Sequence, residues 1–275
     1  MQQTLGTIIA SIFYLLATAC IARTFHTDFL GTQRGGHYRS AALWTASIAA
    51  AGHAINLAGL INSHADGVLN FSLVSAASAS LLAMVMALIG TSLLMPVEKL
   101  GIIIFPLAAS ILLVRPLLPE ETHLLLEQAW PMKLHVVISI LAFSFLNIAA
   151  LQAILLALQD WQLRRHHTGG IIRSLPPLQT METLLFQLIG SGLILLTLSL
   201  TTGFLFLDDL FAQHLAHKTV FSIMAWLIFT GLLIGRLTRG WRGMTAIRWT
   251  LSGTTLLVLA YFGSKLVLQW ILHRD

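Results

Sequence analysis

About eight stretches of this chain run for 18 or more residues with hardly a charge among them: 5–22, 41–62, 70–92, 101–118, 134–158, 184–206, 219–235 and 249–272. A run of that length matches the thickness of a bilayer when wound as a helix. Inside hydrocarbon every backbone donor and acceptor must be satisfied by the chain itself, which leaves only helices and closed barrels. The runs are continuously apolar and do not alternate, so they read as helices. The sequence therefore predicts an all-α, polytopic integral membrane protein with about eight transmembrane helices. Composition agrees: 10% of residues are charged and 56% hydrophobic, against roughly 25% charged in a soluble domain. The segments left over average about 13 residues, too short for a second core, so residues 1–275 are expected to form a single membrane domain. The first run has no basic residues before it and no distinct small-residue cleavage site, and reads as a retained span. The fourth is the least regular, because Pro106 is expected to interrupt it and Arg115 and Pro116 crowd its end.

The formal charge of +5 becomes informative once sorted by side. One set of alternate loops holds Arg23, Arg34, Arg39, Lys99, Arg164, Arg165, Arg173, Arg236, Arg239, Arg242 and Arg248; the other set, with both tails, holds Arg115, Lys133, Lys218 and Arg274. Basic residues collect on the cytoplasmic side, so both termini are expected to face outward in a bacterial inner membrane. The basic balance then follows from topology and gives no reason to invoke nucleic acid. The long inner loop, with Arg164-Arg165-His166-His167, Gly169-Gly170 and Pro176-Pro177, reads as a solvated connector facing phospholipid. Tryptophans at 44, 130, 161, 241, 249 and 270 lie near predicted span ends and read as interface anchors, whereas Trp226 lies inside the seventh span. Small residues recur in the third span at Ser75, Ala79 and Ala83 and at Ala76 and Ser80, a spacing that lets helices pack closely.

The single cysteine, Cys20, excludes a disulfide within the chain, a C-x-x-C redox pair and covalent haem attachment through C-x-x-C-H. No G-x-S-x-G, H-E-x-x-H or phosphate-binding glycine loop is present. The carboxylates fall mostly in loops, with Asp208-Asp209 at the end of the sixth span, so the buried acid chain of a proton-coupled pump is missing.

Histidine is the unusual residue. There are eleven, and His64, His123, His135, His214, His217 and His273 fall in or beside the outward loops. Imidazole is the commonest metal ligand, and two histidines from different helices can fill both axial positions of a haem iron. The competing view is that each is simply a polar residue at an interface. His135 stands at the outer mouth of the fifth span, after Trp130-Pro131-Met132-Lys133. His53 lies near the middle of the second span, where an ionisable residue is costly. It reads either as a ligand or as a buried structural group, with Asn56 three residues on sharing its face. Lys265, in the last span, either snorkels to the outer interface or pairs with a buried anion such as a haem propionate.

Thr202-Gly203-Phe204-Leu205, a short outward loop, Lys218 with Trp226 eight residues on, Gly240-Trp241-Arg242-Gly243 and Ala260-Tyr261-Phe262-Gly263 follow one another in an order that resembles the cytochrome c assembly protein family of CcsA, ResC, CcmC and HemX. Within it the chain is most similar to the HemX and YpjD-type branch. Leu134-His135-Val136 resembles the family's outer histidine before its signature loop. The resemblance runs from about Leu134 onward. It implies a haem-handling membrane protein in which two outer histidines hold haem b: His135 matches the first and His273 stands about where the second follows the last span. His217 is the other candidate for that second position, with Lys218 or Lys265 neutralising a propionate. The family's tryptophan-rich W-G-x-x-W-x-W-D-P-K-E run is not reproduced, because Asp208 to Lys218 contains no tryptophan and only His217-Lys218 stands at the D-P-K position. Arg236 occupies the place of the inner histidine after the seventh span.

Together these features predict a haem-binding protein that assists cytochrome biogenesis or haem homeostasis. It would hold haem without making or breaking a covalent bond, beside other biogenesis or haem-synthesis proteins. The rival expectation is a non-haem scaffold or regulatory subunit that kept the fold and lost the cofactor. A permease would need discontinuous helices or midplane charge, and only Pro106 hints at that.

Overall fold

The computed structural model describes residues 2–29, 35–61, 69–70, 73–117, 124–125, 130–165, 174–206 and 216–263. Among them are eight α-helices: α1 (Gln2–Phe29), α2 (Gly35–Ile61), α3 (Leu73–Ser92), α4 (Gly101–Val114), α5 (Trp130–Arg164), α6 (Leu178–Phe206), α7 (Ala216–Arg239) and α8 (Met244–Val258), the last running into a π-helical turn over Leu259–Gly263. The protein is all-α. One two-residue pairing interrupts the pattern: β1 (Leu69–Asn70) and β2 (Leu124–Leu125) run antiparallel with Leu69 opposite Leu125, tying the segment after α2 to the one after α4. Two residues are too few to carry an alternating pattern, so no sequence signal marked the pairing.

Six helical segments among the described residues are long and apolar enough to cross a membrane: Leu5–Thr27, Val74–Ser92, Glu98–Leu117, Trp130–Arg164, Leu178–Phe206 and His217–Arg239. The 27-residue α2 is not among them; it carries His53 and Asn56 in its apolar stretch. Helix α5, at 35 residues, is about 52 Å long at 1.5 Å per residue, well beyond a hydrocarbon core of about 30 Å. It therefore begins before and ends after the stretch 134–158 expected from hydropathy. Pro106 does not interrupt the fourth span: α4 runs unbroken from Gly101 to Val114. Packed helices tolerate proline because neighbouring groups absorb the lost backbone bond.

The described chain resolves into two compact units. The first comprises 1–128 with 162–176, and the second 129–161 with 177–275. In the first, α1 packs on α2 and α4, and α3 on α2 and α4. At one end of this unit Arg39 donates to the Ser92 carbonyl at 2.7 Å and lies 3.4 Å from the Glu98 carboxylate. Lys99 donates to the Ser174 carbonyl there, and Ser174 Oγ donates to the Phe25 carbonyl at 2.9 Å. The end of α1, the start of α2, the α3–α4 turn and Ser174 therefore share one end, as alternate loops of a bundle must. Arg115, read from sequence as a loop residue, is buried in the turn that ends α4.

In the second unit α7 packs on α6 and α8, and glycines set the closest approaches. A Cβ on Gly192 would lie 2.7 Å from the Leu146 side chain, and one on Gly253 would lie 2.8 Å from Phe229. Trp241 and Trp249, expected as interface anchors, instead pack on each other at 4.9 Å between centroids and against the backbone of Gly235 and Gly231. The missing Cβ atoms open two flat seats on α7 that indole rings fill. The buried Glu182 of α6 accepts the Gly243 N–H at 2.8 Å, fixing the α7–α8 turn, whose Gly240 and Gly243 both take positive φ.

Candidate functional site

Helix α5 opens on Trp130-Pro131, a position where proline costs no helical bond, and His135 lies in its second turn. Ser139, four residues on, shares its face. On α6, Ser199, Thr202 and Gly203 stand at i, i+3 and i+4, so they too form one stripe. The two stripes meet. His135 Nδ1 lies 3.0 Å from Thr202 Oγ1. Ser139 Oγ donates to the His135 carbonyl at 2.7 Å, lies 2.7 Å from Ser199 Oγ, and is 3.4 Å from His135 Nε2. Gly203 is what admits the ring: a Cβ there would stand 3.1 Å from His135 Cε1.

Tyr261 lies close to Ser139. Its ring packs on Phe143 at 4.5 Å. Tyr261 sits in the π-helical turn, a wider winding that re-aims side chains and is frequent at functional sites. His135 itself is half-buried, with the Thr202 hydroxyl at Nδ1 and the Ser139 hydroxyl at a longer distance from Nε2.

The other histidine singled out from the sequence has a different setting. His53 is wholly buried, with Tyr14 and Ser78 equally so. Tyr14 Oη lies 3.3 Å from His53 Nδ1 and Ser78 Oγ lies 2.8 Å from Nε2. Three helices thus contribute one residue each to a closed polar chain, and Phe105 of α4 stacks on Tyr14 at 6.3 Å. One turn along, Asn56 Nδ2 donates to Thr7 Oγ1 at 2.7 Å. Both ring nitrogens of His53 already have partners, so the ring offers no lone pair unless one of those bonds opens.

Of the remaining candidates, His217 lies half-buried in the first turn of α7 and Lys218 beside it is exposed. Trp226 donates its indole N–H to Thr197 Oγ1 of α6 at 2.9 Å, a bond across the α6–α7 seam. His273 and Lys265 lie outside the described residues. No group of three or more histidine, cysteine or carboxylate side chains gathers among the described residues. A bare ion would need such a set, whereas a haem iron, already held by four porphyrin nitrogens, needs one or two protein donors.

Residues 41–272 match the family described as "Cytochrome C assembly protein". The chain belongs to the cytochrome c assembly protein family. This family match takes in both helical units. The chain is 34% identical over 245 residues to the inner membrane protein YpjD of Escherichia coli, covering 87% of this chain and 90% of that one. It is 30% identical over 141 residues to an uncharacterized protein of Azospirillum brasilense, covering 50% and 52% of the two chains. With the cytochrome c biogenesis protein CcsA of Synechocystis it shares 27% identity over 90 residues, 32% of this chain and 27% of that one. No solved structure gives a significant match.

The protein is thus a multi-pass membrane member of the cytochrome c assembly family. Five residues of the site carried no role that the sequence alone could assign. Thr202-Gly203 and Tyr261 stood inside the stretches that carry the family resemblance, yet nothing in them named a partner. Ser139 and Ser199 gave only one signal, a hydroxyl four residues after a histidine and another three before a threonine on the facing helix.

Proposed function

We propose that this protein holds haem b through His135 in a bacterial inner membrane and so assists cytochrome c biogenesis or haem handling, without itself attaching haem to an apocytochrome. The observation that carries this is the setting of His135: an imidazole seated over a glycine, with the Thr202 hydroxyl at its Nδ1, in a chain of the cytochrome c assembly family. Those residues fit the group. Bound haem would supply an iron that accepts nitrogen donors, and His135 would offer one. His273 or His217 is the proposed second donor, and Lys218 or Lys265 the cation facing a propionate.

His53 is assigned a structural part in this scheme, because its nitrogens already bond Tyr14 and Ser78. Trp226 is assigned to helix packing through Thr197. Eight spans with both termini outward, one domain formed from both units, and partners among biogenesis or haem-synthesis proteins complete the proposal. The inner-membrane location follows that of the Escherichia coli relative, the inner membrane protein YpjD.

An absorbance spectrum of protein purified from haem-replete cells is the direct test. A Soret band that His135→Ala weakens or abolishes is the expected result. A wild type with no Soret band would sink the proposal. One observation favours a second possibility, a cofactor-free scaffold: no tryptophan stands between Asp208 and Lys218 to support a porphyrin face. Purification with a stoichiometric protein partner and no pigment would establish that alternative instead.

A further inference from the structure

We propose that Thr202 is a positioning residue that fixes His135 as the Nδ1–H tautomer, so that Nε2 carries the lone pair offered to iron. The second half of this statement rests on the haem proposal above; the first half does not. It follows from counting protons. Thr202 has one hydroxyl proton, and it is already shared between the carbonyls of Leu198 and Ser199, each at 2.9 Å. The oxygen therefore turns lone pairs toward His135. At 3.0 Å from Thr202 Oγ1, Nδ1 must supply the proton, since two facing lone pairs at that distance repel.

The Nε2 side gives the complementary count. Ser139 has one hydroxyl proton, directed at the His135 carbonyl at 2.7 Å. Its oxygen receives Ser199 Oγ at 2.7 Å and stands 3.4 Å from Nε2, too far for a firm bond. A neutral imidazole with its proton on Nδ1 then leaves Nε2 without one. Ring nitrogens of metal-binding histidines are set in this way by the hydrogen bond at the opposite nitrogen. The partner here is a hydroxyl and not a carboxylate, so His135 is held as a neutral imidazole with little imidazolate character. Such a ligand binds iron less tenaciously than one paired with a carboxylate.

The test uses the full chain in detergent with histidine labelled with nitrogen-15, before and after titration with hemin. In the haem-free wild type the His135 signals should report a protonated Nδ1 and a bare Nε2. Thr202→Val, which keeps the branched shape and removes the acceptor, should mix the tautomers and weaken hemin binding about tenfold. Thr202→Ser should restore both. A wild type protonated at Nε2 overturns the proposal, as does a Thr202→Val protein with unchanged tautomer and affinity. A wild type with the Nδ1–H tautomer that takes up no hemin overturns the role of Nε2 as ligand and the haem proposal with it, while the tautomer assignment stands.

Discussion

Removing the Ser78 hydroxyl should cost this protein more than removing the Tyr14 hydroxyl, although both bond the same histidine. All three side chains are 0% exposed, so no water replaces a lost partner. The Ser78 bond is 2.8 Å and the Tyr14 bond 3.3 Å, near the outer limit for a useful hydrogen bond. Stranding a buried polar group costs about 1–3 kcal/mol in soluble proteins. Interhelical hydrogen bonds in membranes average about 0.6 and reach about 1.7 kcal/mol, because the unfolded chain finds other partners in the bilayer. For a closed site with the shorter bond, Ser78→Ala should therefore lose about 1–1.5 kcal/mol, and Tyr14→Phe less than about 0.7. The assay is equilibrium unfolding in mixed micelles, followed by loss of helicity. His53→Leu closes the cycle: once the imidazole is gone, adding Ser78→Ala should cost almost nothing further. Strict additivity of those two changes, or a larger loss for Tyr14→Phe than for Ser78→Ala, would refute the bonding scheme. The Soret band of Ser78→Ala protein should match the wild type, because the proposal gives His53 a structural part and not a ligand's.

Gly203→Ala places a methyl 3.1 Å from His135 Cε1, so the ring must shift by a few tenths of an ångström; hemin titration should show weaker binding with His135 still present, and an unchanged curve would argue against the glycine seat. Glu182→Ala removes the acceptor for the Gly243 N–H and should lower unfolding stability by about 1.5–3 kcal/mol, the range for a hydrogen bond to a charged group. Glu182→Gln keeps a carbonyl oxygen at that place and should lose clearly less, which thermal unfolding of the two variants side by side will show.

The histidines illustrate how far the sequence carries. Position within an apolar run was enough to mark His53 as costly and His135 as standing at a helix mouth. It was not enough to separate their roles, because that depends on which residues of other helices face each ring. Tyr14 lies 39 residues from His53 and Thr202 lies 67 from His135, and no local pattern links such pairs. The tryptophans make the same point. Trp130 and Trp161 are exposed, whereas Trp241 and Trp249 occupy glycine seats on α7 that only the folded unit brings opposite them.

The helical, membrane-spanning class was determined by the chain alone, because a bilayer leaves apolar runs of that length hardly any other way to satisfy their backbones. Which face of each helix turns inward was decided by tertiary structure. In a soluble helix, polarity marks the outer face; in lipid the outer face is as apolar as the core, so the periodic signal fades and hydroxyls, glycines and imidazoles find their partners only when the helices pack.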